Sequence, residues 1–199
     1  MSLWYRLLYR FGITPWERDD VPAEVRDVGA ELAPPGRALD VGCGTGRDAV
    51  HLAQRGWTVT GVDAVPRALE AARKREAGAG AKVEWVQGDV TRLEELGLDA
   101  GYKLVLDRGC FHGLPDDARD AYARGVNALA APDATLLMFA FSPGFHGPAP
   151  RGIGAEEISQ RFGPGWELVS STPAEDRRFP AWMRNPDPYW HRLRRREVP

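Results

Sequence analysis

Ala38-Leu-Asp-Val-Gly-Cys-Gly-Thr-Gly-Arg47 is the stretch that decides the fold. A short apolar strand pattern breaks there into glycine at every second position: Gly42, Gly44 and Gly46. Glycine reaches backbone angles closed to other residues and carries no side chain, so a ligand can approach the turn between a strand and the next helix. A helix starting near Asp48 would direct its free amides at that ligand. The pattern reads as a nucleoside-cofactor loop, with Cys43 inside it. It is not the G-x-G-x-x-G of a dinucleotide site, because position 47 holds arginine, and NAD is disfavoured.

Two further strand ends agree. Thr58 to Val62 reads as a second strand ending at Asp63, followed by Ala64. An acid roughly 20 residues beyond the glycines can grip two ribose hydroxyls. Val83 to Gln87 reads as a third strand running into Gly88-Asp89-Val90.

The run Leu39 to Asp63 resembles the first cofactor motif of class I S-adenosylmethionine-dependent methyltransferases. That resemblance implies a Rossmann-like, doubly wound, mostly parallel α/β sheet of seven strands with an antiparallel edge strand. It also implies S-adenosyl-L-methionine as cofactor and S-adenosyl-L-homocysteine as product, with the adenine cradled at Asp89 and Val90. Asp40, ending the first strand, then faces the cofactor's ammonium, directly or through water, or else fixes the glycine turn.

Size and composition suit one such domain over residues 1–199. A chain of this length buries a substantial core without metals or disulfides. Hydrophobic residues at 43% and charged residues at 27% are the balance of a globular chain. No run is apolar enough to span a bilayer, and Arg6 and Arg10 interrupt the apolar start, so no signal peptide is read and a cytoplasmic address is expected. Cys43 and Cys110 are the only cysteines and read as reduced thiols. Four scattered histidines give no metal site. Formal net charge of −2 implies neither nucleic acid nor membrane as partner, and a small-molecule acceptor and a monomer are expected.

Alternating elements with glycine or proline punctuation extend the α/β pattern. Trp4 to Phe11 and Ala23 to Leu32 read as N-terminal helices, which with the rest of residues 1–33 would cover the cofactor site. Helices are expected at Asp48 to Arg55, Val65 to Ala77, Asp116 to Ala130 and Ala155 to Phe162. Lys103 to Leu106, Thr135 to Phe141 and Trp166 to Thr172 supply strands four to six. Tyr189 to Glu197 reads either as a solvated arginine-rich end or as the antiparallel seventh strand, placed at an edge by its arginines. Asn185-Pro-Asp-Pro-Tyr189 reads as a turn.

The fourth strand runs into Asp107-Arg-Gly-Cys-Phe-His112, in the crevice where such folds bind ligands. Asp107-Arg108-Gly109 resembles the same point in thiopurine S-methyltransferases, whose arginine lines the substrate pocket. Thr14-Pro-Trp-Glu-Arg-Asp-Asp-Val-Pro22 is similar to the lid segment of the thiol, halide and thiopurine methyltransferase group, with Asp20 where that group has glycine. By that resemblance Trp16 contacts the cofactor, and Asp107 joins the cofactor-binding set. Gly147-Pro-Ala-Pro-Arg-Gly152 resembles the group's loop after the fifth strand.

The resemblance implies transfer of a sulfonium methyl to a nucleophile held in line about 3–3.5 Å away with water excluded. A thiol, selenol or acidic phenol, partly ionised near neutrality, is the expected acceptor. Phenolic oxygen or ring nitrogen of a heterocycle is the alternative, a non-catalytic cofactor-binding module a second, and RNA methylation, which needs a continuous basic face, a third. Arg108 either attracts an anionic acceptor or pairs with Asp107 or another acid. His112 either takes the acceptor's proton or hydrogen-bonds within its loop. Cys110 reads as a packing residue.

Overall fold

A computed structural model describes residues 20–144, 146, 150–175 and 187–196. In chain order the elements are α1 (Ala23–Glu31), β1 (Arg37–Val41), α2 (Arg47–Ala53), β2 (Thr58–Asp63), α3 (Pro66–Ala79) and β3 (Val83–Gln87). They continue with β4 (Tyr102–Arg108), α4 (Asp116–Leu129), β5 (Ala130–Phe141), α5 (Ala155–Phe162), β6 (Trp166–Pro173) and β7 (Pro188–Arg195). Short 3-10 turns cover Val90–Glu95, Phe111–Gly113 and Gly163–Gly165.

One seven-stranded sheet has the order β3-β2-β1-β4-β5-β7-β6. All pairings from β3 to β5 are parallel, while β7 is antiparallel to both β5 and β6. This is the mostly parallel, doubly wound sheet expected, with antiparallel pairing confined to one side. The expectation that β7 lies at the edge is corrected: β6 takes that edge and β7 pairs on both sides. Its arginines are accommodated by partners rather than by an open edge. Arg192 reaches Glu31 at 2.5 Å, Arg194 reaches Glu167 at 3.2 Å, and Arg195 donates to the Ala130 carbonyl.

Side chains on the central strands alternate between two cores, as a period of two requires. Leu39, Val41, Val105, Leu136 and Met138 point to the face covered by Phe111, Tyr122 and α5. Ala38, Leu104, Leu106 and Leu137 point to the face covered by Val25, Val28 and Leu52 of α1 and α2. Because both faces are covered, β1 and β4 read as near-continuous apolar runs.

The chain leaves β1 toward β2 on one side, while β4 packs on the other, so the sheet's direction of winding reverses between β1 and β4. Such a switch point opens a crevice at the carboxyl ends of the strands. Register fixes what lines it: Asp40 is opposite Gly61 and Leu106, and Val41 is opposite Val62 and Asp107. Asp40, Asp63 and Asp107 therefore end three adjacent strands at one rim of the sheet.

Candidate functional site

The floor of the crevice is rich in buried carboxylates. Asp40, Asp48, Asp63 and Asp107 are all nearly inaccessible to solvent. Asp40 also accepts the Ala49 backbone N–H. Burial pushes its carboxyl well above the usual range, and the charges of Asp48, Asp107 and Asp63 push it further the same way. A region with this surplus of negative charge favours a cationic ligand. The sulfonium and ammonium of S-adenosylmethionine fit that donor set, and it is the cofactor the sequence resemblance implies.

The glycine loop bends over this floor. Gly42, Gly44 and Gly46 have φ of +73°, +54° and +73°. Gly42 and Cys43 both donate to the Val62 carbonyl, at 2.8 and 3.0 Å, and Gly46 donates to the Cys43 carbonyl at 2.9 Å. The three glycines are not equivalent, although the sequence assigned each to ligand approach. A Cβ on Gly42 would lie 2.7 Å from Cys110 Cβ, and one on Gly46 would lie 2.3 Å from the Trp85 ring and 2.8 Å from Ala72. Close packing of protein on protein accounts for those two. Trp85 is held over the loop by its indole N–H, which donates to Glu76 at 2.7 Å.

Asp63 spans the loop and the start of α3. Its Oδ2 accepts the Gly44 N–H at 2.9 Å and its Oδ1 accepts the Val65 N–H at 2.8 Å. Ala64, between them, is half-buried. At the end of β3, Asp89 caps the following turn by accepting the Thr91 N–H at 3.0 Å and hydroxyl at 2.8 Å, with Val90 buried beneath.

The exit of β4 carries the remaining candidates. Asp107 is fully buried; Oδ1 accepts the Cys110 N–H at 2.9 Å, and Oδ2 accepts the Phe111 N–H at 3.0 Å and the Tyr122 hydroxyl at 2.6 Å. Burial raises its carboxyl to about 6 against those hydrogen bonds. Its contacts are those of a loop anchor, a role the sequence did not indicate. Burial likewise pushes both thiols well up, which suits Cys110 as a packing residue.

Arg108 forms an ion pair through Nε with Asp48 Oδ2 at 2.8 Å, so its acid partner is Asp48, not Asp107, and this single contact does not decide between its two readings. Its side chain keeps 27% exposure at the carboxyl end of β4. His112 is buried and its Nδ1 accepts the Phe141 N–H at 2.8 Å, with the two rings 4.5 Å apart. Burial, with the nearby positive charges of Arg119 and His146, lowers it to about 3. A neutral imidazole with its lone pair engaged in this way is poorly suited to take a proton, which weighs toward the hydrogen-bonding reading. Trp16 lies outside the described residues.

Three polar neighbours of the candidate residues escaped the sequence reading. Tyr122 supports Asp107 from α4. Arg119, almost fully buried, donates to the carbonyls of Leu114, His112 and Gly152 and pairs with Glu157 at 2.8 Å, which joins the loops after β4 and β5. Arg47 was noticed only as the residue that breaks dinucleotide spacing, yet its Nε pairs with Asp48 Oδ1 at 3.2 Å. Its place directly after Gly46 was the available signal. Among the described residues no cluster of three or more histidines, cysteines or acids is placed to hold a metal, and no helix is long and apolar enough to cross a membrane.

Comparison with known proteins follows the same lines. The profile of a family described as "Methyltransferase domain" matches residues 38–133. An uncharacterized methyltransferase of Schizosaccharomyces pombe is 31% identical over 52% of this chain and 70% of its own length. The 2-heptyl-1-hydroxyquinolin-4(1H)-one methyltransferase of Mycobacteroides abscessus is 28% identical over 80% of this chain and 71% of its own. Thiocyanate methyltransferase 1 of Brassica oleracea is 33% identical over 63% of this chain and 56% of its own. Among solved structures, the Burkholderia thailandensis 1,6-didemethyltoxoflavin-N1-methyltransferase, with bound 1,6-didemethyltoxoflavin and S-adenosylhomocysteine, shares the fold. It superposes with a TM-score of 0.71 at 23% identity, covering 97% of this chain and 86% of that one.

Proposed function

Since this chain belongs to the methyltransferase family, we propose that it transfers the methyl group of S-adenosylmethionine to a small molecule whose accepting atom arrives already ionised, a thiol or a comparably acidic heteroatom. The bound cofactor supplies an electrophilic methyl on its sulfonium. The residues of the chain bind, orient and exclude water. On this reading Asp40 faces the cofactor's ammonium, Gly44 lets the loop approach it, Asp63 reaches the ribose, and Asp89 with Val90 borders the adenine.

The single observation that carries the acceptor class is that, among the described residues, both candidate bases at the β4 exit are already engaged. His112 has Nδ1 committed to Phe141, and Asp107 has both oxygens committed to three donors. An alcohol would need its proton removed there, whereas a thiolate or an acidic hydroxyl needs only attraction and alignment. Arg108, partly exposed and permanently charged, supplies the attraction. Thiocyanate is itself an anion, and the relative that acts on it supports a soft, charged acceptor. The hydroxyquinolone methyltransferase, matched over more of this chain, favours a second reading in which the acceptor is the acidic oxygen of a heterocycle.

The test is methyl transfer from labelled S-adenosylmethionine to a panel of thiols, phenols, hydroxylated heterocycles and halides, with product identification and rates followed against pH. Rates should track the ionised fraction of each acceptor. Equal rates for aliphatic alcohols would overturn the proposal.

A further inference from the structure

The most unusual polar group near the crevice is the Arg47 guanidinium. Its side chain is only 5% exposed, and Nε is spent on Asp48. Nη1 and Nη2 are both buried and, among the described residues, find no hydrogen-bond partner. Leaving a buried donor unpaired costs about 1–3 kcal/mol, and more on a charged group. Two such atoms on one guanidinium imply an acceptor that arrives with a ligand.

The surroundings identify its chemistry. Arg47 directly follows Gly46, so it is anchored to the glycine loop. Asp48 separates the two arginines, with Oδ1 toward Arg47 and Oδ2 toward Arg108. The partly exposed Arg108 thus takes the acceptor side, and the buried Arg47 takes the loop side. Asp48 also acts on Asp40, whose carboxyl it helps push upward. A buried acid crowded by other carboxylates and a buried guanidinium with its Nη1 and Nη2 donors unengaged are therefore neighbours of one shared carboxylate. An α-amino acid headgroup presents that pair of charges, ammonium beside carboxylate. A free inorganic anion would satisfy only the arginine.

Resting on the reading that this crevice holds S-adenosylmethionine, we propose that Nη1 and Nη2 of Arg47 bind the carboxylate of the cofactor's methionine moiety. A planar guanidinium fork matches a carboxylate with two parallel hydrogen bonds. Arg47 is then the residue that distinguishes a cofactor with a complete amino acid end from one without it.

Titration calorimetry with S-adenosylhomocysteine and its decarboxylated analogue tests this without turnover. Wild-type protein should bind S-adenosylhomocysteine at least about tenfold more tightly than the decarboxylated analogue. In Arg47→Met the affinity for S-adenosylhomocysteine should fall by a similar factor while that for the analogue stays the same, which erases the discrimination. The ligand-free variant should melt no lower than wild type, because it no longer buries unpaired donors. Equal wild-type affinity for the two ligands would overturn the proposal even if the variant failed to fold. So would a variant that keeps its discrimination and loses only acceptor KM. Failure of wild type to bind either ligand would instead sink the cofactor reading itself.

Discussion

Asp63 Oδ2 accepts the Gly44 N–H at 2.9 Å, which ties the end of β2 to the loop that leaves β1. An acid assigned from sequence to the ribose is therefore also a structural clamp, since its other oxygen holds the Val65 N–H at 2.8 Å. Each carboxylate oxygen has two lone pairs, so clamp and ligand contact are compatible. Asp63→Ala should lower stability by about 1–3 kcal/mol and weaken S-adenosylhomocysteine binding by a comparable amount. Asp63→Asn, which keeps one acceptor oxygen, should recover part of each. Denaturant melts and calorimetry separate the effects, and unchanged affinity in folded Asp63→Ala would remove this residue from the ribose site.

Gly44 and Gly46 should fail in different ways. At Gly46 a Cβ meets the Trp85 ring at 2.3 Å, with φ at +73°, so Gly46→Ala should destabilise the fold by about 1–3 kcal/mol. Trp85→Leu in the same chain should relieve the clash while leaving the backbone cost. Gly44→Val should abolish most cofactor binding, because the branch would stand where the ligand approaches, and with φ at +54° it carries a backbone cost as well. Thermal melts with and without S-adenosylhomocysteine distinguish the two, and normal binding by Gly44→Val would refute the loop assignment.

Asp107 gives a pH signature with a definite sign. Its carboxyl is raised from 3.8 to about 6 in the folded protein, so between those values the native state holds the proton more tightly than the unfolded chain. This group's contribution is therefore greatest at low pH. It declines as pH rises from 3.8 to 6, by about 3 kcal/mol at 1.36 kcal/mol per unit, and is flat above. Subtracting the stability curve of Asp107→Asn from that of wild type should isolate this slope. A flat difference would show that Asp107 titrates normally.

His112 should prove dispensable as a base. His112→Asn can place an amide oxygen near the Phe141 N–H, so turnover at neutral pH should stay within about threefold of wild type, a loss under about 0.7 kcal/mol. The pH–rate profile should carry no limb from this imidazole between pH 6 and 7, since burial holds it near 3. A loss of 100-fold or more in a folded variant, roughly the scale of general-base catalysis, would restore the catalytic reading.

Arg108→Lys keeps the charge and loses the planar fork. Efficiency toward an anionic acceptor should drop about tenfold, or 1.4 kcal/mol, with a smaller loss for neutral acceptors and unchanged S-adenosylhomocysteine affinity. Unchanged kinetics with weakened cofactor binding would instead confine the role of Arg108 to its ion pair with Asp48.

The sequence by itself determined the architecture, because glycine spacing and strand periodicity are local signals. Three strand ends carrying Asp40, Asp63 and Asp107 were legible along the chain, and β3 and α5 fall within the residues expected for them. What each polar group touches was decided only by tertiary structure. Asp48 and Arg108 lie 60 positions apart and pair because β1 and β4 are neighbours. Trp85 fills the space above Gly46 from another strand, and Phe141 engages His112 from β5. β7 is interior for the same kind of reason: Glu31 and Glu167, remote in sequence, neutralise arginines that looked suited only to an edge. Backbone conformation follows from neighbours in the chain, whereas hydrogen bonds and ion pairs form between whichever groups packing brings together.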